Sequence, residues 1–174
     1  VAWVVLCEDE QHFAFARRFL ELLGRPELRQ TRKVLGPGHA GVREKLPNEL
    51  EMIRKRGDTA ALLVILDADG HPVEDRKRYV LERCPDDSRP DARTPVAILV
   101  PERNIETWIA WLNGKVIDAS IAYPKLRHER DCKPAVERLK EYCDAKRLPD
   151  AVPASLRAAC AEFDRLLGIL TAQG

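Results

Sequence analysis

A chain of 174 residues has room for one domain with a full core, and 45% apolar with 33% charged residues is the composition of an ordinary water-facing globular fold. Its 29 basic and 28 acidic residues leave a formal charge of +1, which neither demands nor excludes a nucleic-acid partner. No apolar run approaches membrane-spanning length, the start lacks the basic flank of a signal peptide, and the five cysteines show no CxxC spacing. A membrane anchor and a zinc site are therefore not expected, and a reduced, cytoplasmic setting is. The Val1 start is expected to lie inside a longer natural chain or to follow a processed terminus.

Val1 to Cys7 is a continuous apolar run, which predicts a strand buried on both faces, and it ends in the acidic turn Glu8-Asp9-Glu10. From Gln11 to Leu23, Phe13, Ala16, Phe19, Leu20 and Leu23 recur at helical spacing, with Gly24 as the closing residue. Leu28 to Leu35 predicts a weaker strand, with basic residues at alternate positions, at an edge of the sheet. Gly36-Pro37-Gly38-His39-Ala40-Gly41 opens a helix running to about Arg56. The segment lacks the Lys-Ser/Thr ending of a phosphate-binding loop, so it reads as turn chemistry and His39 as a loop histidine.

Ala60 to Leu66 is a second run buried on both faces, followed by Asp67-Ala68-Asp69-Gly70. Period-two alternation predicts that Asp67 and Asp69 point to the same side. Two like charges held that close repel unless a cation or a shared proton relieves them. A charged helix over His71 to Arg83, a loop over Cys84 to Arg93 and a buried strand over Pro95 to Val100 come next. Then Ile105, Trp108, Ile109 and Leu112 form one apolar helix face, with Arg103 and Glu106 three apart on its flank, either as an ion pair or as site residues. Asn113 to Lys133 is turn-rich. Two helices follow, roughly Pro134–Lys146 and Pro153–Leu170, the second with a core stripe of Leu156, Cys160, Phe163, Leu167 and Leu170.

Alternating strands and helices predict an α/β sandwich with a mainly parallel sheet of Rossmann-like type and extra C-terminal helices. Ligands of such sheets bind outside the carboxyl ends of the strands, where Glu8, Asp67, Asp69 and Glu106 are expected. Four convergent carboxylates would suit one or two Mg²⁺ (or Mn²⁺) ions sharing coordination with a substrate phosphate.

A Glu after the first strand, followed by Asp67-x-Asp69 after a later one, resembles the Toprim domain of topoisomerases, primases and OLD-type nucleases. Arg103-Asn104-Ile105-Glu106-Thr107-Trp108 resembles the Arg-x-Ile/Leu-Glu-x-aromatic stretch of small Toprim-like and OLD-like nucleases of bacterial defence. The likeness covers about residues 1–112, leaving 113–174 as a helical extension of a single domain. It implies a Mg²⁺-dependent phosphodiesterase or nuclease acting on DNA or RNA, with a companion protein such as an ATPase. It implies Glu8 in proton transfer and metal binding, Asp67 and Asp69 as Mg²⁺ ligands, and Glu106 helping to hold a metal. On this reading Arg103 neutralises a phosphate oxygen, and Lys133 is a more distant phosphate contact. Where that family often has Glu-Gly-x-x-Glu, this chain has Glu8-Asp9-Glu10-Gln11-His12.

Two other resemblances share this sheet logic. Val4 to Glu10 and Leu63 to Asp67 resemble the acidic turn and phosphoacceptor strand of a receiver, although Val100 stands where a receiver has Ser or Thr. Leu66-Asp67-Ala68-Asp69-Gly70 resembles the first motif of haloacid-dehalogenase-type phosphatases, which normally lies on the first strand of that core. A degenerate Toprim module that binds without cleaving is the non-enzymatic alternative.

Overall fold

The structure, a computed structural model, describes residues 1–23, 31–118 and 120–172. Gly24, expected to close the first helix, and residues 28–30 of the expected second strand lie outside the described residues. The elements are β1 (Ala2–Cys7), α1 (Glu10–Leu22), β2 (Arg32–Leu35), α2 (Gly38–Arg56), β3 (Ala60–Ile65), α3 (Val73–Leu81), β4 (Val96–Leu99), α4 (Ile105–Leu112), α5 (Lys133–Asp144) and α6 (Ala154–Ala172). The four strands form one all-parallel sheet in the order β2-β1-β3-β4. This is a Rossmann-like α/β architecture.

Apolar content decides the strand order. β3 is buried along its whole length and β1 from Trp3 onward, so both take central positions covered on two faces. β2 carries Arg32 and Lys33 and takes an edge, where a charged side chain reaches water. Alternate residues of the central strands feed two separate cores. Trp3, Val5, Leu63 and Ile65 face α1, α4, α5 and α6, while Val4, Leu6, Leu62 and Val64 face α2 and α3.

The C-terminal helices complete the first layer. Phe163 of α6 stacks on Trp3 with ring centroids 6.1 Å apart and meets Phe19 edge-on at 5.1 Å. Trp108 of α4 donates its indole N–H to Ser155 of α6 at 2.9 Å. Of the predicted stripe on α6, Leu156, Phe163 and Leu170 are buried, and Cys160 and Leu167 are partly so. Among the described residues no helix is long and apolar enough to cross a membrane.

β1 leads out to β2 on one side, and α2 brings the chain back across to β3 on the other. The chain therefore reverses direction between β1 and β3, the place where sheets of this kind leave a crevice outside the carboxyl ends of their strands. Its floor is tied down on both sides. Gly36 donates its N–H to Cys7 at 2.9 Å, and a Cβ at Gly36 would lie 2.5 Å from the backbone of Gly41, so this turn seats directly on the start of α2. Beyond β3, backbone bonds continue from Leu66 to Leu99 (3.2 Å), Ala68 to Pro101 (2.9 Å) and Asp69 to Arg103 (3.1 Å).

Candidate active site

The acidic turn after β1 begins the site. Asp9 is the N-cap of α1, its backbone extended, and its Oδ1 accepts the N–H groups of Gln11 (2.9 Å) and His12 (3.1 Å). That cap sets the rotation of α1 and turns His12 inward, where it is 1% exposed. The ring then bridges two carboxylates: Nδ1 is 2.7 Å from Asp9 Oδ1 and Nε2 is 2.8 Å from Asp67 Oδ1. Lys125, from the loop between α4 and α5, donates to the other oxygen of Asp9 at 2.9 Å. Glu8 reaches across the crevice, and its Oε1 accepts the Asp67 N–H at 3.0 Å. β1 and β3 thus bring Glu8 and Asp67 side by side, with His12 and Asp9 behind them on the α1 face.

The expected repulsion is relieved by the protein itself. Burial, reinforced by the neighbouring Asp67 charge, pushes the Glu8 carboxyl up to about 7. Burial works against a charged His12, but its bonds to Asp67 and Asp9 outweigh that penalty and raise the imidazole to about 10. For Asp9 burial is likewise outweighed, here by the bond to His12 with Lys125 adding to it, and the carboxyl lies well below its usual range. At neutral pH His12 is an imidazolium between two carboxylates.

Glu106, in the first turn of α4, is 3% exposed, and its Oε1 is buried without a hydrogen-bond partner among the described residues. Burial raises its carboxyl, and the Asp67 charge raises it further. The ion pair with Arg103 that the i, i+3 spacing allowed is not formed. Arg103 instead donates to the backbone carbonyl of Asp69 at 2.9 Å, clamping the turn after β3.

Asp69 departs from the alternation that predicted a carboxylate pointing the same way as Asp67, although its charge still reaches Glu8 and raises it. β3 ends at Ile65, and Asp69 takes a left-handed φ of 54°. Its carboxylate is carried to the α2/α3 side, with Oδ2 3.6 Å from Arg76 and 3.7 Å from His39. Arg76 is 6% exposed and donates to Ala68 at 2.9 Å, so it holds this turn from beneath. Lys133 lies on the outer side of α5, 3.8 Å from Glu137.

His12, Lys125 and Arg76 were not singled out as site residues. For His12 the signal was present: it stands four residues after Glu8, one helical turn on, so a capped helix starting at Asp9 faces it toward the sheet edge. Lys125 lies in a turn-rich stretch with no pattern to place it.

Among the described residues no group of three or more His, Cys, Asp or Glu side chains is arranged to hold a metal ion. The Glu8–Asp67 pair nevertheless supplies oxygen ligands of the kind a hard cation takes, with the unpartnered Glu106 oxygen buried close enough to feel the Asp67 charge. Mg²⁺ commonly takes only one or two protein carboxylates and completes its shell with water and phosphate. Comparison with protein-family models, curated proteins and solved structures finds no match to this chain.

Proposed function

We propose that the chain is a Toprim-like, Mg²⁺- or Mn²⁺-dependent phosphodiesterase acting on nucleic acid, in the manner of the defence nucleases its motifs resemble. The observation that carries this reading is the pairing of Glu8 with Asp67 at the reversal point of a parallel sheet, in front of a buried carboxylate with an unpartnered oxygen. Glu8 and Asp67 would hold the metal, with Glu106 behind them. Bound there, the metal would polarise a phosphate oxygen and lower the pKa of a water.

The chain's own groups supply the rest. Without metal Glu8 lies near 7 and exchanges a proton readily at neutral pH, whereas holding a cation would keep it as the carboxylate. His12 keeps Asp67 in one orientation through a bond to a single oxygen, Oδ1. Lys125, 77% exposed beside Asp9, and Arg103 beside Asp69 would present positive charge to a phosphate backbone. The cysteines, all unpaired, suit a reducing cytoplasm, and a companion such as an ATPase would supply targeting.

The test is incubation of the purified chain with plasmid, single-stranded DNA and RNA, with Mg²⁺ or Mn²⁺ and with chelator. Cleavage that requires metal and is lost in Glu8→Gln and Asp67→Asn is the expected result. One observation favours a second reading, a module that binds without cleaving: the His12 imidazolium already neutralises part of the charge a metal would relieve. Binding to the same substrates, unchanged by chelator and without cleavage under any metal, would establish that reading instead.

A further inference from the structure

The five cysteines divide by exposure. Cys7, Cys84 and Cys132 are 0%, 2% and 2% exposed, whereas Cys143 and Cys160 are half-buried. Cys143 lies in the last turn of α5 and Cys160 in the second turn of α6, and the two side chains together line both an apolar cavity against the core and the surface outside it. Both line one surface pocket of about 580 Å³, together with Tyr142, Arg147, Arg157 and Asp164. The two thiols a small solute can reach are therefore the two that share one cavity wall.

We infer that Cys143 and Cys160 form a dithiol site that reacts with hydroperoxides and closes reversibly into a disulfide joining α5 to α6. This chemistry is independent of the proposed phosphodiesterase site. Their environments divide their roles. The neighbouring Cys160 holds Cys143 below the usual thiol range while Cys160 is itself pushed above it, so Cys143 is the thiol that ionises first and attacks. Burial pushes Cys7 up to about 12, Cys132 up to about 11 and Cys84 upward as well, which leaves those three inert.

In the first step the Cys143 thiolate attacks one peroxide oxygen. The O–O bond breaks, the leaving alkoxide or hydroxide takes up a proton, and Cys143 becomes a sulfenic acid. In the second step the Cys160 sulfur attacks the Cys143 sulfur, and the departing hydroxide leaves as water with the Cys160 proton. The thiol pair loses two electrons and two protons, and the hydroperoxide is reduced to an alcohol or water plus one further water. A small dithiol reverses the bond by exchange.

The experiment treats the whole chain with hydrogen peroxide, blocks free thiols by alkylation and digests with trypsin without reduction. The expected product is Glu141–Lys146 joined to Ala158–Arg165, lighter by two hydrogens than the separate peptides and separated again by dithiothreitol, with Cys7, Cys84 and Cys132 alkylated. In Cys160→Ser, dimedone should label Cys143. In Cys143→Ser, peroxide consumption should fall by about tenfold or more, with no label at Cys160. Alkylation of all five cysteines after peroxide, a crosslink between two chains, or equal peroxide consumption by the two variants would overturn the inference.

Discussion

Asp67 and Asp69 stand two residues apart in one motif and live in opposite environments. Asp67 is 13% exposed, on the α1 side, held by a histidine that two carboxylates keep charged. Asp69 is 54% exposed, on the α2/α3 side, near Arg76 and His39. The difference arises in the backbone. Alternation holds only while the chain is extended, and the left-handed residue at Asp69 ends it. In this chain the two aspartates therefore face different neighbours, although only one residue separates them.

The widest separation between the two aspartates should appear in metal-dependent activity. Asp67→Asn is expected to lower it on the order of 100-fold or more, and Asp69→Asn by about tenfold or less, in line with the cost of losing a ligand against that of losing a supporting contact. Equal losses in a metal titration of both variants would show that Asp69 swings into the crevice when a cation is present.

His12→Gln probes the same contrast through stability. It leaves Asp9 and Asp67 without their shared cation, and should cost about 3 kcal/mol in urea unfolding of the metal-free protein at pH 6. The pH dependence has a definite sign. His12 titrates near 10 when folded against about 6.5 unfolded, so its contribution is complete below about 6.5 and is lost as pH rises through 10. Glu8, raised from 4.5 to about 7, acts in the same direction between those values, while Asp9 contributes above its ordinary range and is lost only in acid. Wild-type stability should therefore decline from pH 6 upward, and His12→Gln should be nearly level between about pH 7 and pH 8, above which the buried thiols of Cys7 and Cys132, raised in the fold, pull both proteins down. Parallel curves for the two proteins would mean that His12 is neutral in the fold.

Smaller effects are expected around the turn. Gly70 has φ 81°, and a Cβ there would press on the Arg103 guanidinium, so Gly70→Ala should cost about 1 kcal/mol and loosen the clamp on Asp69. Glu106→Gln should change the stability of the metal-free protein by no more than about 0.5 kcal/mol, because the neutral amide resembles the protonated carboxyl that burial favours. A loss of more than about 1 kcal/mol in thermal melting would reveal a partner for Oε1.

Much of the layer architecture was legible along the chain. Uninterrupted runs at Val1 to Cys7 and Ala60 to Leu66 mark central parallel strands, and Arg32 and Lys33 mark an edge, because each pattern reports how many faces of a strand meet water. Helix bounds came close for α1, α5 and α6, where apolar spacing is regular. The turn-rich stretch from Asn113 to Lys133 was not legible. Lys125 reaches Asp9 from there across 116 residues, a contact that no local pattern encodes.

What the sequence determined by itself is the α/β alternation, the two central strands and the presence of acids at their carboxyl ends, since burial and turn chemistry are local properties of the chain. Which acids meet was decided only by tertiary structure. Glu8 meets Asp67 because β1 and β3 are neighbours in register, from Ala2 opposite Ala60 to Cys7 opposite Ile65. His12 enters between Asp9 and Asp67 because the Asp9 cap fixes the rotation of α1 against the sheet. Asp69 departs because backbone bonds to Glu102 and Arg103 hold its turn in a left-handed conformation. Each of these contacts depends on two elements at once, and the charge state of the site follows from the contacts rather than from the residue types alone.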